Sequence, residues 1–125
     1  MRATTPAETK TTAARKPFAW LTAALFVCVT WEALRPNPGG SSIEHWDKLL
    51  HVLAFATLAL TAALACSPGR NSNWGIAALL LLHGALIEVV QAYVPGREAS
   101  WLDLMADAVG IAAGLGLARL WRRLG

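Results

Sequence analysis

The feature that most limits what this chain can fold into is its division into four apolar blocks, residues 17–34, 49–66, 74–94 and 101–121. Each is close to the roughly 20 residues that a helix needs to cross bilayer hydrocarbon. With 55% apolar and only 15% charged residues in 125, the chain has more apolar surface than one soluble core of this size can use. Ala and Leu dominate the blocks, and the alternation at period two that a membrane barrel requires is absent, so the spans are helical. Trp20, Trp31, Trp46, Trp74, Trp101 and Trp121 lie at or near block ends, as indole rings at the headgroup level would. Tyr93 also sits at a block end.

The connections are short and hold helix-ending residues: Pro36-Asn37-Pro38-Gly39-Gly40, Pro68-Gly69-Arg70-Asn71 and Pro95-Gly96. Short loops make neighbouring spans run in opposite directions. The expected fold is therefore all-α, an integral membrane bundle of four antiparallel transmembrane helices over residues 17–125. Residues 1–16 are rich in Thr, Ala and basic groups without apolar periodicity and read as a disordered cytoplasmic tail. The tail and first block resemble a signal peptide, but the stretch ends in Thr30-Trp31-Glu32 instead of a small-x-small cleavage site, which favours a retained anchor.

Basic residues near span ends resist translocation. Arg2, Lys10, Arg15, Lys16, Arg70, Arg119, Arg122 and Arg123 fall on one side, and only Arg35, Lys48 and Arg97 on the other, eight against three. Both termini are thus expected in the cytoplasm. Cys28 and Cys66 lack the paired spacing of a metal or redox motif and read as inert apolar residues.

The polar residues inside the spans carry the functional signal. Ser41 and Glu44 have capping-box spacing, so the second helix should begin before its apolar block and carry Asp47, Lys48 and His51 in its first turns. Asp47 and His51, four apart, share a face. Glu88 and Gln91 share a face near the outer end of the third span. A carboxylate there costs about 2.5 to 3.5 kcal/mol on insertion scales and needs a partner, a proton or a wet cavity. Ser100 and Asp103 again have capping-box spacing, which gives Asp103 a structural role at a helix start. Asp107 lies one turn deeper on the same face, without that explanation.

Asp47, Lys48, His51, Glu88, Gln91, Arg97, Asp103 and Asp107 all fall in the outer half, whereas the matching inner positions are almost wholly Ala, Leu and Gly. That asymmetry implies an outward-facing polar pocket. His83, at mid-span and off the Glu88 face, reads as a packed, hydrogen-bonded histidine. Ala106, Gly110, Gly114 and Ala118 form a small-residue stripe down the fourth helix, a surface for close helix packing.

Several of these elements in one order resemble the VanZ-like membrane proteins: Trp46-Asp47-Lys48-Leu49-Leu50-His51, then Glu88-Val89-Val90-Gln91, then Arg97-Glu98-Ala99-Ser100 and Asp103-Leu104-Met105-Ala106-Asp107-Ala108-Val109-Gly110. The resemblance is best over residues 46–125. Its pattern would place Asn where Asp107 stands, and a proton, Lys48 or Arg97 could neutralise that charge. The resemblance implies a bacterial cell-envelope protein of the cytoplasmic (inner) membrane, and the family's namesake is associated with reduced susceptibility to the glycopeptide teicoplanin.

The leading reading is a protein that binds or modifies an amphipathic, lipid-linked or glycopeptide-like molecule at the outer leaflet. The ligand-binding candidates are Asp47, Lys48, His51, Glu88, Gln91, Arg97 and Asp103. In an enzymatic version Arg97 and Lys48 hold an anionic headgroup, and His51, Glu88, Asp103 or Asp107 moves protons. No nucleophile motif or metal-ligand spacing assigns a reaction, a cofactor or a metal. A proton-linked transporter or flippase, and a non-catalytic membrane assembly factor, are the alternatives. Expected partners are membrane lipids and the amphipathic ligand, with room for a homo-oligomer and no nucleic acid.

Overall fold

The computed structural model describes residues 5–37 and 45–125, and among them all regular structure is helical. The chain order is α1 (Pro6–Leu34), α2 (Trp46–Ala65), α3 (Arg70–Gln91) and α4 (Trp101–Leu124). All four are long and apolar enough to cross a membrane. The capping box expected at Ser41 and Glu44 lies outside the described residues. His45 is the N-cap of α2 and makes no side-chain cap bond.

The tail differs from the sequence reading, because α1 starts at Pro6 instead of near residue 17. Thr5 and Glu8 form a reciprocal capping box, with the Glu8 amide donating to Thr5 Oγ1 and the Thr5 amide to Glu8 Oε2, and Pro6 holds the first helical position. These local signals suffice to set a helix start with no apolar face to bury. At 29 residues α1 is about 43 Å long at 1.5 Å per residue, longer than the ~30 Å of bilayer hydrocarbon. The helix is therefore longer than one crossing needs, and its charged first turns precede the apolar stretch that begins at Pro17.

Directions follow from pairs of contacts. Lys48 meets Asp103, His51 meets Asp107, and Ala63 meets Arg122, so partners advance together along α2 and α4 and these two helices run the same way. Glu88 reaches Ser100, whereas the earlier Gly84 faces Asp107, so α3 runs against α4. Thr30 pairs with His83 and Ala33 with Gln91, which aligns α1 with α3.

The closest packing joins α2 to α4. A Cβ on Gly110 would run into the Val52 carbonyl and the Ala56 amide, and one on Gly114 into the Ala56 carbonyl and Ala59. Ala106, Gly110, Gly114 and Ala118 are all buried, so the small-residue stripe is where the two backbones meet. Phe55, Leu58 and Ala59 of α2, Leu80 and Ile87 of α3 and Ile111 of α4 build the core. By contrast α1 has no buried residue and lies against α2 and α3 through Leu25, Val29 and Ala33. Trp20, Leu79, Val109 and Leu124 are more than half exposed, an outward apolar surface that suits lipid contact.

Arg122 donates to the Ala63 and Cys66 carbonyls at the far end of α2, satisfying acceptors that the helix itself leaves open.

Gly114→Val is expected to lower bundle stability by about 1 to 3 kcal/mol, since the added side chain must push two backbones apart. Gly116→Ala, which meets nothing within 4 Å, should leave it unchanged or raise it slightly. Unfolding of the two variants in micelles, followed by circular dichroism, checks the contrast.

Candidate functional site

At one end of the bundle the starts of α2 and α4 bring a histidine among carboxylates. His51 Nδ1 and Asp107 Oδ1 are 2.7 Å apart, both groups buried, and with the carboxylate ionised the ring nitrogen donates. Asp107 is fully enclosed at 0% exposure. Its partner is thus His51, and of the expected answers to its charge, a proton, Lys48 or Arg97, neither basic side chain pairs with it. The other Asp107 oxygen faces Gly84 and has no hydrogen-bond partner among the described residues. Any side chain at position 84 would collide with it.

Asp103 lies one turn earlier and is also buried. Its Oδ1 accepts from Lys48 Nζ at 3.3 Å, and its Oδ2 lies 3.9 Å from His51 Nε2. Lys48 is about one-third exposed, as a snorkelling lysine at a helix end would be. Asp47 stands beside this group, with ligand atoms of Asp47, His51 and Asp103 all within 4.8 Å of one another.

The capping box expected from Ser100 and Asp103 does not form. Ser100 is the N-cap of α4, but its side chain makes no cap bond. Glu88 takes the reciprocal role from another helix: its Oε2 accepts the Ser100 amide at 2.6 Å, the bond that an acid at the third helical position would otherwise make. Asp103 is thereby left to Lys48 and the neighbourhood of His51. Glu88 Oε1 is buried without a hydrogen-bond partner among the described residues.

Gln91 and Arg97 do something the sequence reading missed. The end of α1 leaves carbonyls without intrahelical donors, and in a bilayer such groups must be satisfied internally. Gln91 Nε2 donates to the Ala33 carbonyl at 2.8 Å. Arg97 donates through Nε to the Arg35 carbonyl at 3.0 Å and through Nη2 to the Glu32 carbonyl at 2.6 Å. The turn that aims Arg97 needs Gly96, whose φ of 76° favours glycine, and Pro95 accepts the Asn37 amide at 3.1 Å. These residues tie α1 to the α3–α4 connection. The only sequence signal for this was the absence of a basic residue within the last turn of α1, which leaves its carbonyls to be capped from elsewhere.

Between α1, α2 and α3 lies a cavity of about 390 Å³. Val29, Leu50, Ala54, Phe55 and Ile87 supply apolar wall, and Glu32, Asp47, His51, Gln91 and Arg97 its polar part. His83 stands deeper, stacked on Phe26 with ring centroids 3.9 Å apart, and its Nε2 lies 2.9 Å from Thr30 Oγ1.

Fold and site together define a multi-pass membrane protein with a polar cluster embedded at one end of its helices. The VanZ/LLP1 family model matches residues 2–122, nearly the whole chain, and the chain belongs to that family. No curated protein and no solved structure matches it significantly.

Glu88→Gln keeps an oxygen for the Ser100 amide and should leave membrane abundance near normal. Glu88→Ala removes it and is expected to cost about 0.5 to 2 kcal/mol, the range for a lost helix cap. Thermal melts and membrane levels of the two variants, measured side by side, check this.

Proposed function

We propose that the protein binds or modifies an amphipathic lipid-linked or glycopeptide-like molecule at the outer leaflet of a bacterial cytoplasmic membrane. The observation that carries this reading is the cavity between α1, α2 and α3, apolar along its wall and polar where it meets Asp47 and His51. An amphipathic ligand matches such a site, its chain replacing lipid contacts and its headgroup meeting the polar end. The eight-to-three bias of basic residues supports an outer position for that end, with both termini in the cytoplasm.

Roles within the site divide by contact. His51, held through Nδ1 by Asp107, keeps Nε2 for the ligand side and is the group best placed to move a proton. Lys48, partly exposed beside Asp103, is the cation able to swing toward an anionic headgroup. Arg97 lines the cavity while two of its donors hold α1, so it positions the wall and contributes only its remaining donors to a ligand. A transport path is less well supported, because apart from Thr61 and His83 the buried polar residues, His51, Glu88, Gln91, Asp103 and Asp107, cluster at one end.

Ala54→Trp is expected to fill the cavity and remove most binding of a polyprenyl diphosphate or of teicoplanin, followed by native mass spectrometry of the purified full chain. Leu53→Trp, on the exposed side of α2, should bind like the parent protein. Equal binding by both variants at normal folding would exclude the cavity as the ligand site.

A further inference from the structure

The cluster at the starts of α2 and α4 carries more negative charge than its neighbours balance. Asp47, Asp103 and Asp107 meet one lysine and one histidine, and two of the three acids are at most 2% exposed. Burying such an excess in or beside hydrocarbon is costly unless a cation or a proton answers it. The arginines at this end are engaged elsewhere, Arg97 with the carbonyls of α1 and Arg35 with Glu32 at 3.2 Å.

His51 supplies an independent observation. Its side chain is over nine-tenths buried, yet Nε2 makes no hydrogen bond among the described residues and lies 3.9 Å from Asp103 Oδ2, beyond bonding distance. With Nδ1–H donated to Asp107, the neutral ring carries its lone pair on Nε2, pointing toward Asp103 and bordering the cavity. A buried carboxylate that orients an imidazole while the opposite nitrogen faces further oxygens is the usual outer shell of a metal-bound histidine.

We propose that Asp47, His51 and Asp103 form a binding site for one divalent transition-metal ion, open on its cavity side, with Asp107 as the positioning residue for His51. Their ligand atoms lie within 4.8 Å of one another, so small side-chain movements bring all three to bonding distance of a shared ion. One imidazole nitrogen with two carboxylate oxygens fits Zn²⁺ or Mn²⁺ better than Mg²⁺, which favours all-oxygen shells, or Cu⁺, which favours sulfur. Three protein ligands leave a coordination position free. Asp103 keeps Oδ1 for Lys48 while Oδ2 faces the ion. The site does not depend on the lipid-ligand reading, although an anionic headgroup in the cavity would meet the ion's open side.

The test uses the full chain purified without a polyhistidine tag, stripped with EDTA and titrated with Zn²⁺ and separately with Mn²⁺, with no lipid ligand added. Bound metal is counted by mass spectrometry after gel filtration, and affinity is read by calorimetry. One ion per chain is expected. Asp47→Asn, at a half-buried position, and His51→Gln should abolish stoichiometric binding while the helical signal persists. Asp107→Asn should weaken it by about 10- to 100-fold, as loss of an outer-shell partner does. Lys48→Ala should tighten it, since a competing cation leaves the Asp103 carboxylate, whereas a lysine serving as the sole counter-ion would give no gain. His83→Ala should bind like the parent. No stoichiometric binding of either metal, or binding indifferent to both Asp47→Asn and His51→Gln in folded protein, would overturn the site.

Discussion

The bond between the His51 imidazole and the Asp107 carboxylate, 2.7 Å long and closed off from solvent, sits where α2 and α4 first come together. Below it the same two helices approach until Gly110 and Gly114 touch the backbone of Val52 and Ala56. Van der Waals contact between small residues holds helices in lipid, but it does not set which charged residues may share the interface. The hydrogen-bonded pair does, because an Asp107 without His51 would be a carboxylate left without a partner at complete burial. Lys48 with Asp103 and Glu88 with the Ser100 amide then extend that arrangement toward the starts of α2 and α4.

The third and first helices are placed by consequences of this pairing. Gly84 leaves room for the second Asp107 oxygen, which fixes how closely α3 can lie against α4. Gln91 and Arg97, at the end of α3 and in the turn after it, reach across to carbonyls at the end of α1. The peripheral helix is thus attached by polar bonds at its end and by partial apolar contact along its length, with no buried residue of its own. The cavity lies where this lighter attachment leaves space between α1 and its neighbours.

Much of this was legible in the sequence, for definite reasons. Block length and tryptophan placement mark the spans because the bilayer imposes one thickness on all of them. The stripe at Ala106, Gly110, Gly114 and Ala118 marks a close interface because only small residues allow it. The ionisable residues are visible as anomalies in apolar blocks, and Asp107 stood out because no cap explained it. Their partners were not visible. Ser100 and Asp103 have the spacing of a capping box, yet Glu88 from α3 wins the Ser100 amide, a competition that local spacing does not encode. Arg97 was read as a headgroup ligand, and the sequence did not show that two of its donors are turned to the carbonyls of α1 from the Gly96 turn. The start of α1 was missed because Thr5, Pro6 and Glu8 set a helix by capping alone, with none of the apolar periodicity that identifies the others.

The central claim, that His51 and Asp107 act as one unit joining α2 to α4, is tested most directly by a double-mutant cycle. His51→Ala, Asp107→Ala and the double variant would be unfolded in micelles and compared with the parent chain. The expected coupling is about 1 kcal/mol or more, with the second substitution costing much less once the first is made. Effects that simply add, to within about 0.5 kcal/mol, would contradict it.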